Sequence, residues 1–126
     1  MSLRNPLAKA HNHGSAGEGV GHWWALRFTA ILLVFMTVWL IYALASLIGA
    51  DHAAAAAWIG RPFNAAMAIL FVVTSIYHGE LGLQVVIEDY IHTRATEVVL
   101  MVLVKIASIA GGLLAVIAIL KMAFGV

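Results

Sequence analysis

The sequence predicts an all-α membrane protein with three transmembrane helices and a short polar N-terminal tail. Of its 126 residues, 63% are hydrophobic and 10% are charged, and the mean hydropathy is +1.00. A soluble domain of this size could not bury so much apolar surface, so a bilayer has to cover it. Most of that surface lies in three long apolar segments separated by short polar stretches.

Charge and cysteine content narrow the function classes. The net charge is only +1 and no basic patch occurs, so nothing indicates a nucleic-acid partner. The chain contains no cysteine, which excludes disulfides, iron–sulfur clusters and thiolate metal ligands within it. Histidine is therefore the main candidate metal ligand.

Residues 1–21 form the predicted polar tail, and residues 22–126 form the predicted membrane anchor. The tail is rich in glycine and histidine and has no apolar period, so we expect it to be flexible. It also lacks the apolar core of a cleavable signal peptide. Trp23 and Trp24 are expected to begin an aromatic belt at the first membrane interface.

The three predicted spans lie at about 25–49, 61–87 and 95–122. The first contains 23 uncharged residues after Arg27, enough to cross a hydrocarbon core of ~30 Å. The second opens with a proline suited to the first helical turn, and it has 18 uncharged residues. An alanine-rich stretch, residues 53–59, is expected to form a short interfacial helix between them.

The third span carries small residues at the spacing of close helix contacts in lipid. Ala107, Gly111 and Ala115 repeat every four residues, and so do Ser108 and Gly112. We expect the Ala107–Gly111–Ala115 face to contact a helix, either within this bundle or on a partner chain.

One stripe of the second span carries the most informative residues. His78, Gly82, Val85 and Asp89 fall at i, i+4, i+7 and i+11, on one face of a helix. Ionisable groups within a span are costly and usually mark a site, although a histidine there can also be a packing residue satisfied by a neighbouring helix. The stripe combines a metal ligand, a position without a side chain and a carboxylate, so a flat cofactor could lie against it. Thr74, one turn earlier, could accept a hydrogen bond from the imidazole.

Asp89 and Tyr90 occupy the end of the second span. A phenol can donate a hydrogen bond to a substrate oxygen, and a neighbouring carboxylate can order water or relay a proton. The alternative is that the two residues form no site, because tyrosine is common at membrane interfaces and aspartate at helix ends.

Two further charges fall within apolar segments. Glu80 lies off the His78 stripe, and we expect it to contact partner subunits or solvent. Lys105 lies about 16 Å along its helix from Arg94, too deep to reach water easily. It is expected to pair with a partner subunit or to line a wet cavity, and the sequence does not decide between these.

The positive-inside rule places the amino terminus in the cytoplasm by a small margin. Arg4, Lys9 and Arg27 outnumber Glu18 before and at the start of the first span, whereas the first loop is balanced. Three spans then place Tyr90 on the cytoplasmic side.

The motifs HWWALRFTA and HGELGLQVVIEDYIH, within three spans, resemble the smaller hydrophobic anchor subunit of succinate dehydrogenase, respiratory complex II. The second motif, H-x3-G-x6-D-Y, is similar to alphaproteobacterial and mitochondrial versions, and the resemblance extends from about residue 21 to the end. It implies that His78 is an axial ligand of a haem b, with the second histidine on a larger cytochrome b anchor subunit. It also implies that Tyr90 and Asp89 belong to a ubiquinone site and that Arg27 lies near the haem propionates.

The same resemblance implies a complex with a flavoprotein subunit and an iron–sulfur subunit docked on the cytoplasmic side. Electrons would pass from succinate through flavin and clusters to ubiquinone, in the tricarboxylic acid cycle and respiratory chain. The location would be the bacterial inner membrane, or the mitochondrial inner membrane in a eukaryote. This chain has no flavin motif or cluster cysteines, so we expect it to be inert alone.

Two other functions remain open at this point. An anchor of a quinol:fumarate reductase would differ mainly in reaction direction, which depends on cofactor potentials and quinone type. A non-redox assembly or transport subunit would leave His78 structural and would contain no haem.

Overall fold

The computed structural model describes residues 17–125 and contains four helices over that range. They are α1 (Gly17–Ser46), α2 (His52–Ile59), α3 (Pro62–Tyr90) and α4 (Arg94–Phe124). The described part of the chain contains no strand. The predicted all-α class is confirmed.

Three of these helices are long and apolar enough to cross a membrane. The spans cover 28 residues of α1, 29 of α3 and 31 of α4. At 1.5 Å per residue each exceeds ~40 Å, so the helix ends reach beyond a hydrocarbon core of ~30 Å. The chain is a multi-pass membrane protein with three spans, as the sequence predicts.

Helix α1 differs from its predicted span at both ends. It begins at Gly17, so the last five residues of the predicted tail are helical, and the rest of that tail lies outside the described residues. It ends at Ser46 and not beside Asp51, and the following turn contains Gly49 with a φ of 77°. A positive φ is costly for residues with a Cβ, so glycine suits this turn.

Asp51 is the N-cap residue of α2, which begins at His52. Its carboxylate accepts a hydrogen bond from the Ala54 amide at 2.7 Å, which caps the new helix. Pro62 then occupies the first turn of α3, as expected, and the Asn64 side chain donates to the Trp58 carbonyl at 2.8 Å. These contacts fix the corner between α2 and α3.

Helix α3 continues to Tyr90, three residues past the predicted exit at Ile87. The stretch contains neither glycine nor proline, and the Gln84 side chain donates to Glu88 one turn later at 2.9 Å. Asp89 and Tyr90 therefore belong to the last helical turn. The loop is confined to residues 91–93.

The three spans form a row with α3 in the middle. Helix α3 packs against α1 on one side and α4 on the other, whereas α1 and α4 make no contact within the described residues. Few side chains are buried, and those on α1 (Thr29, Met36 and Ala43) recur every seven residues along the face toward α3. Such an open row exposes large apolar areas that lipid or partner helices must cover.

The small residues of α4 divide between two faces. Gly112 lies against α3, where a Cβ would be 3.6 Å from the Ile76 side chain. Ala107 and Gly111 are exposed, and a Cβ at Gly111 would meet nothing within 4 Å. Contact within the chain therefore uses the Ser108–Gly112 row. The Ala107–Gly111–Ala115 face stays a predicted contact with a partner chain.

Candidate functional site

The imidazole of His78 is half-buried and contacts α1. Its Nδ1 lies 2.9 Å from the hydroxyl oxygen of Thr29, a side chain that is only 6% exposed. The Thr29 side chain lies on the buried stripe of α1, so helix packing brings it against the middle of α3. The expected acceptor, Thr74, is buried on α3, but the hydrogen-bond partner is Thr29.

The groups around the Thr29 hydroxyl favour a hydrogen bond in which His78 is the donor. The hydroxyl lies 2.7 Å from the Ala25 carbonyl and 3.1 Å from the Leu26 carbonyl, and both can only accept. With its single proton directed at Ala25, the hydroxyl oxygen can accept a hydrogen bond from an Nδ1–H of His78. In that tautomer the lone pair of the neutral ring is on Nε2, where it could bind a metal.

The imidazole opens onto a groove of about 470 Å³ along α1. The α1 side chains lining it are small or apolar: Ala30, Leu33, Val34, Thr37 and Val38. An apolar groove that ends on one imidazole fits a flat, largely apolar cofactor better than a hydrated ion. Within the described residues, no cluster of three or more histidine, aspartate or glutamate side chains could hold a metal ion.

Gly82 lies one turn after His78. A Cβ built there would meet nothing within 4 Å, so packing within this chain does not require glycine. The space beside the α3 backbone is open at this position. Any steric need for glycine must come from a group that binds there or from a partner chain.

Asp89 and Tyr90 lie at the end of α3, and the Tyr90 residue is 76% exposed. Helical geometry places Tyr90 about 18 Å along the axis from His78 and roughly 120° around it, whereas Asp89 stays within about 20° of the His78 direction. The two residues therefore adjoin each other but form a region separate from the His78 groove.

Arg27 lies on α1 two residues before Thr29 and is exposed. Its guanidinium carbon lies 5.3 Å from the centre of the Trp23 ring, a cation–π arrangement. The charge is thus held near the level of His78, in the N-terminal half of α1. The Nε2 of His22, near the start of α1, is buried and has no hydrogen-bond partner among the described residues.

Two contacts of this region were not predicted. Lys105 and Glu80 form an ion pair between α4 and α3. We expected Glu80 to contact partner subunits or solvent, and Lys105 to pair with a partner subunit or line a wet cavity. Thr29 was missed as the partner of His78. Its position one heptad after His22 and one before Met36 was the available signal, but only helix packing identifies the residue opposite.

The chain resembles proteins of known family. It matches the family described as Succinate dehydrogenase/Fumarate reductase transmembrane subunit over residues 1–120. It is 40% identical to a Rickettsia bellii succinate dehydrogenase hydrophobic membrane anchor subunit over 107 residues, 85% of this chain and 86% of the relative.

Two relatives from other organisms are also described as succinate dehydrogenase membrane anchor subunits. A Paracoccus denitrificans subunit of the same description is 34% identical over 127 residues, covering 99% of this chain and 96% of its own. A Reclinomonas americana succinate dehydrogenase membrane anchor subunit is 34% identical over 95 residues, 73% of this chain and 79% of its own. No solved structure gave a significant match.

Proposed function

Since the chain belongs to the succinate dehydrogenase/fumarate reductase transmembrane subunit family, we propose that it anchors a succinate:ubiquinone oxidoreductase in the membrane. It supplies one axial ligand of haem b and part of the ubiquinone reduction site. The observation that carries the haem assignment is the hydrogen bond from His78 Nδ1 to Thr29, which leaves Nε2 available.

His78 fits an axial haem ligand in its chemistry and surroundings. Neutral imidazole binds haem iron, and ligating histidines usually donate their other ring proton to an acceptor that fixes the ring orientation. Thr29 is that acceptor. Haem b, when bound, supplies a one-electron centre within the membrane. The groove along α1 offers apolar walls to the macrocycle, and Gly82 keeps the α3 backbone accessible.

Arg27 is the candidate partner of a haem propionate. Its position two residues from Thr29 lets the guanidinium reach toward the same end of the groove, and its planar fork suits a carboxylate. The stacking on Trp23 limits the positions that the side chain occupies. The second axial histidine comes from the larger cytochrome b anchor subunit.

Tyr90 and Asp89 are the candidate quinone residues. Both are exposed in the last turn of α3, where the helix leaves the membrane. The phenol can donate a hydrogen bond to a quinone carbonyl, and the adjacent carboxylate can pass protons from water. Quinone reduction needs two protons, so a site at the aqueous edge suits this chemistry.

The proposed complex also contains a flavoprotein subunit and an iron–sulfur subunit on the cytoplasmic side. The excess of positive charge before the first span favours a cytoplasmic amino terminus. The location is the bacterial inner membrane, or the mitochondrial inner membrane in a eukaryote. Succinate oxidation belongs to the other subunits, since this chain contains no cysteine to hold clusters.

The fumarate reductase direction is the second candidate, because the family description includes both enzymes. The curated relatives are called succinate dehydrogenase subunits, which favours the first direction. A non-redox assembly or transport role has no support from the relatives.

The test is a reduced-minus-oxidised absorption spectrum of the complex purified through a tag on this chain, with mass spectrometry of the accompanying subunits. We expect a b-type haem band together with flavoprotein and iron–sulfur subunits. A complex with those subunits but no haem would overturn the ligand assignment. Absence of both the haem band and the flavoprotein and iron–sulfur subunits would overturn the anchor role.

A further inference from the structure

An ion pair lies within the membrane-spanning part of α3 and α4. Glu80 of α3 and Lys105 of α4 are bonded through Oε1 and Nζ, and the Glu80 side chain is only 14% exposed. Lys105 is eleven residues from the start of α4 at Arg94, or about 16 Å along the helix axis, so it lies inside the membrane-spanning segment and not at its end.

Charged side chains inside a membrane span are costly, so a pair retained there usually has a structural or functional role. Close packing between α3 and α4 does not require them, since Gly112 already lies against Ile76. An apolar groove of about 330 Å³ adjoins the pair, lined in part by Tyr77 and Ser108. A well-packed apolar residue at position 80 would fill this seam without desolvating a carboxylate.

The position of Glu80 relative to His78 supplies the reason. The two residues are separated by two positions, so their side chains project roughly 200° apart around α3. His78 bonds to Thr29 of α1, and Glu80 bonds to Lys105 of α4. Within less than one turn, α3 thus makes one polar contact with α1 and another with α4.

Apolar contacts tolerate small rotations of a helix, whereas a hydrogen bond is sensitive to direction. A rotation of α3 would move the His78 ring away from Thr29 and turn Nε2 relative to the groove. If the Glu80–Lys105 contact were lost, apolar packing between α3 and α4 would be left to set the rotation of α3 and the direction of the imidazole.

We propose that Glu80 and Lys105 are positioning residues, whose ion pair sets the rotation of α3 and thereby the direction of the His78 imidazole. This inference rests on the proposed function, in which His78 binds haem. Neither residue touches the haem in this account. Their effect passes through the backbone of α3 to the imidazole.

The test uses the complete complex and compares four forms: wild type, Glu80→Gln, the neutral double variant Glu80→Gln with Lys105→Gln, and the reversed pair Glu80→Lys with Lys105→Glu. The electron paramagnetic resonance spectrum of the ferric haem reports the orientation of its axial ligands. The haem content per flavin reports assembly and occupancy.

We expect shifted resonance lines in Glu80→Gln and in the neutral double variant, and a return toward the wild-type spectrum in the reversed pair. If Glu80→Gln fails to assemble, recovery of both assembly and the wild-type spectrum in the reversed pair supports the same conclusion.

Three outcomes would overturn the inference. One is a wild-type spectrum in the neutral double variant, which would assign the pair to charge compensation alone. Another is a reversed pair no better than Glu80→Gln. The third is a wild-type complex without haem, which would overturn the proposed function as well and is distinguished by its absorption spectrum.

Discussion

The two sides of α3 are built differently. Toward α1 the polar contact is a hydrogen bond between His78 and Thr29, beside an open groove. Toward α4 the contact is an ion pair between Glu80 and Lys105, and Gly112 lies against Ile76 nearby. On the α1 side, His78 bonds to Thr29 through Nδ1 and also lines the groove.

This difference indicates a division of roles. A contact that leaves one acceptor unused and accessible suits ligand binding, whereas a pair that satisfies both charges within the chain suits positioning. If that division is correct, substitutions on the α1 side should change cofactor binding more than matched substitutions on the α4 side.

The largest expected effect is that of His78→Ala. Removal of the ligand should lower haem occupancy in the assembled complex by more than the roughly 10–100-fold typical of losing an outer-shell partner. Haem per flavin, measured from the reduced-minus-oxidised spectrum, checks this. Ser108→Ala, a polar deletion on the α4 side, is the matched control and should retain haem. Equal loss in both variants would contradict the division.

Tyr90→Phe should impair quinone reduction while leaving haem in place. Loss of the phenolic donor should lower succinate:quinone activity by roughly 100-fold, the lower range for removing one hydrogen-bond donor that stabilises charge developing on a substrate oxygen. Succinate oxidation by an artificial acceptor should be nearly unchanged. Tyr77→Phe, on the α4 side, should leave both activities intact. A parallel fall of both activities in Tyr90→Phe would point to faulty assembly.

Thr29→Val should weaken haem binding less than His78→Ala. The substitution keeps the shape of the side chain but removes the acceptor for Nδ1–H, which should lower haem affinity by about 10–100-fold. Haem retention during dilution or mild detergent treatment measures this. Thr37→Val provides the control, because Thr37 lines the groove without contacting the imidazole in a hydrogen bond. Identical retention in both variants would exclude the positioning role of Thr29.

Asp51→Ala should have the smallest effect, since it touches neither side of α3 near His78. Loss of the cap of α2 should cost about 1 kcal/mol of local stability and leave the haem spectrum unchanged. Thermal unfolding of the complex, with Asp51→Asn as the control that preserves capping, tests this. A spectral change would mean that the α2 corner affects the groove.

The sequence predicts the fold well because long uncharged runs determine spans almost independently of tertiary structure. The errors in the predicted spans lie at the helix ends, because local side-chain contacts determine where each helix begins and ends. Asp51 reads equally as the end of one helix or the cap of the next, and Glu88 to Tyr90 contain no residue that forces an end.

The site is less predictable from sequence. The stripe through His78 follows from helical periodicity alone, so the candidate ligand could be identified. Its partner Thr29 lies 49 residues away, and Lys105 lies 25 residues from Glu80. Such pairs depend on which helices adjoin and at what rotation, which periodicity within one helix does not encode.

The most direct test of the central claim is a redox titration of the haem in the His78→Met complex. Replacing an axial histidine by methionine keeps a ligand but raises the reduction potential of the iron. We predict that haem is retained and that its midpoint potential rises relative to wild type. Retained haem with an unchanged potential and spectrum would show that His78 does not bind the iron, and would contradict the account.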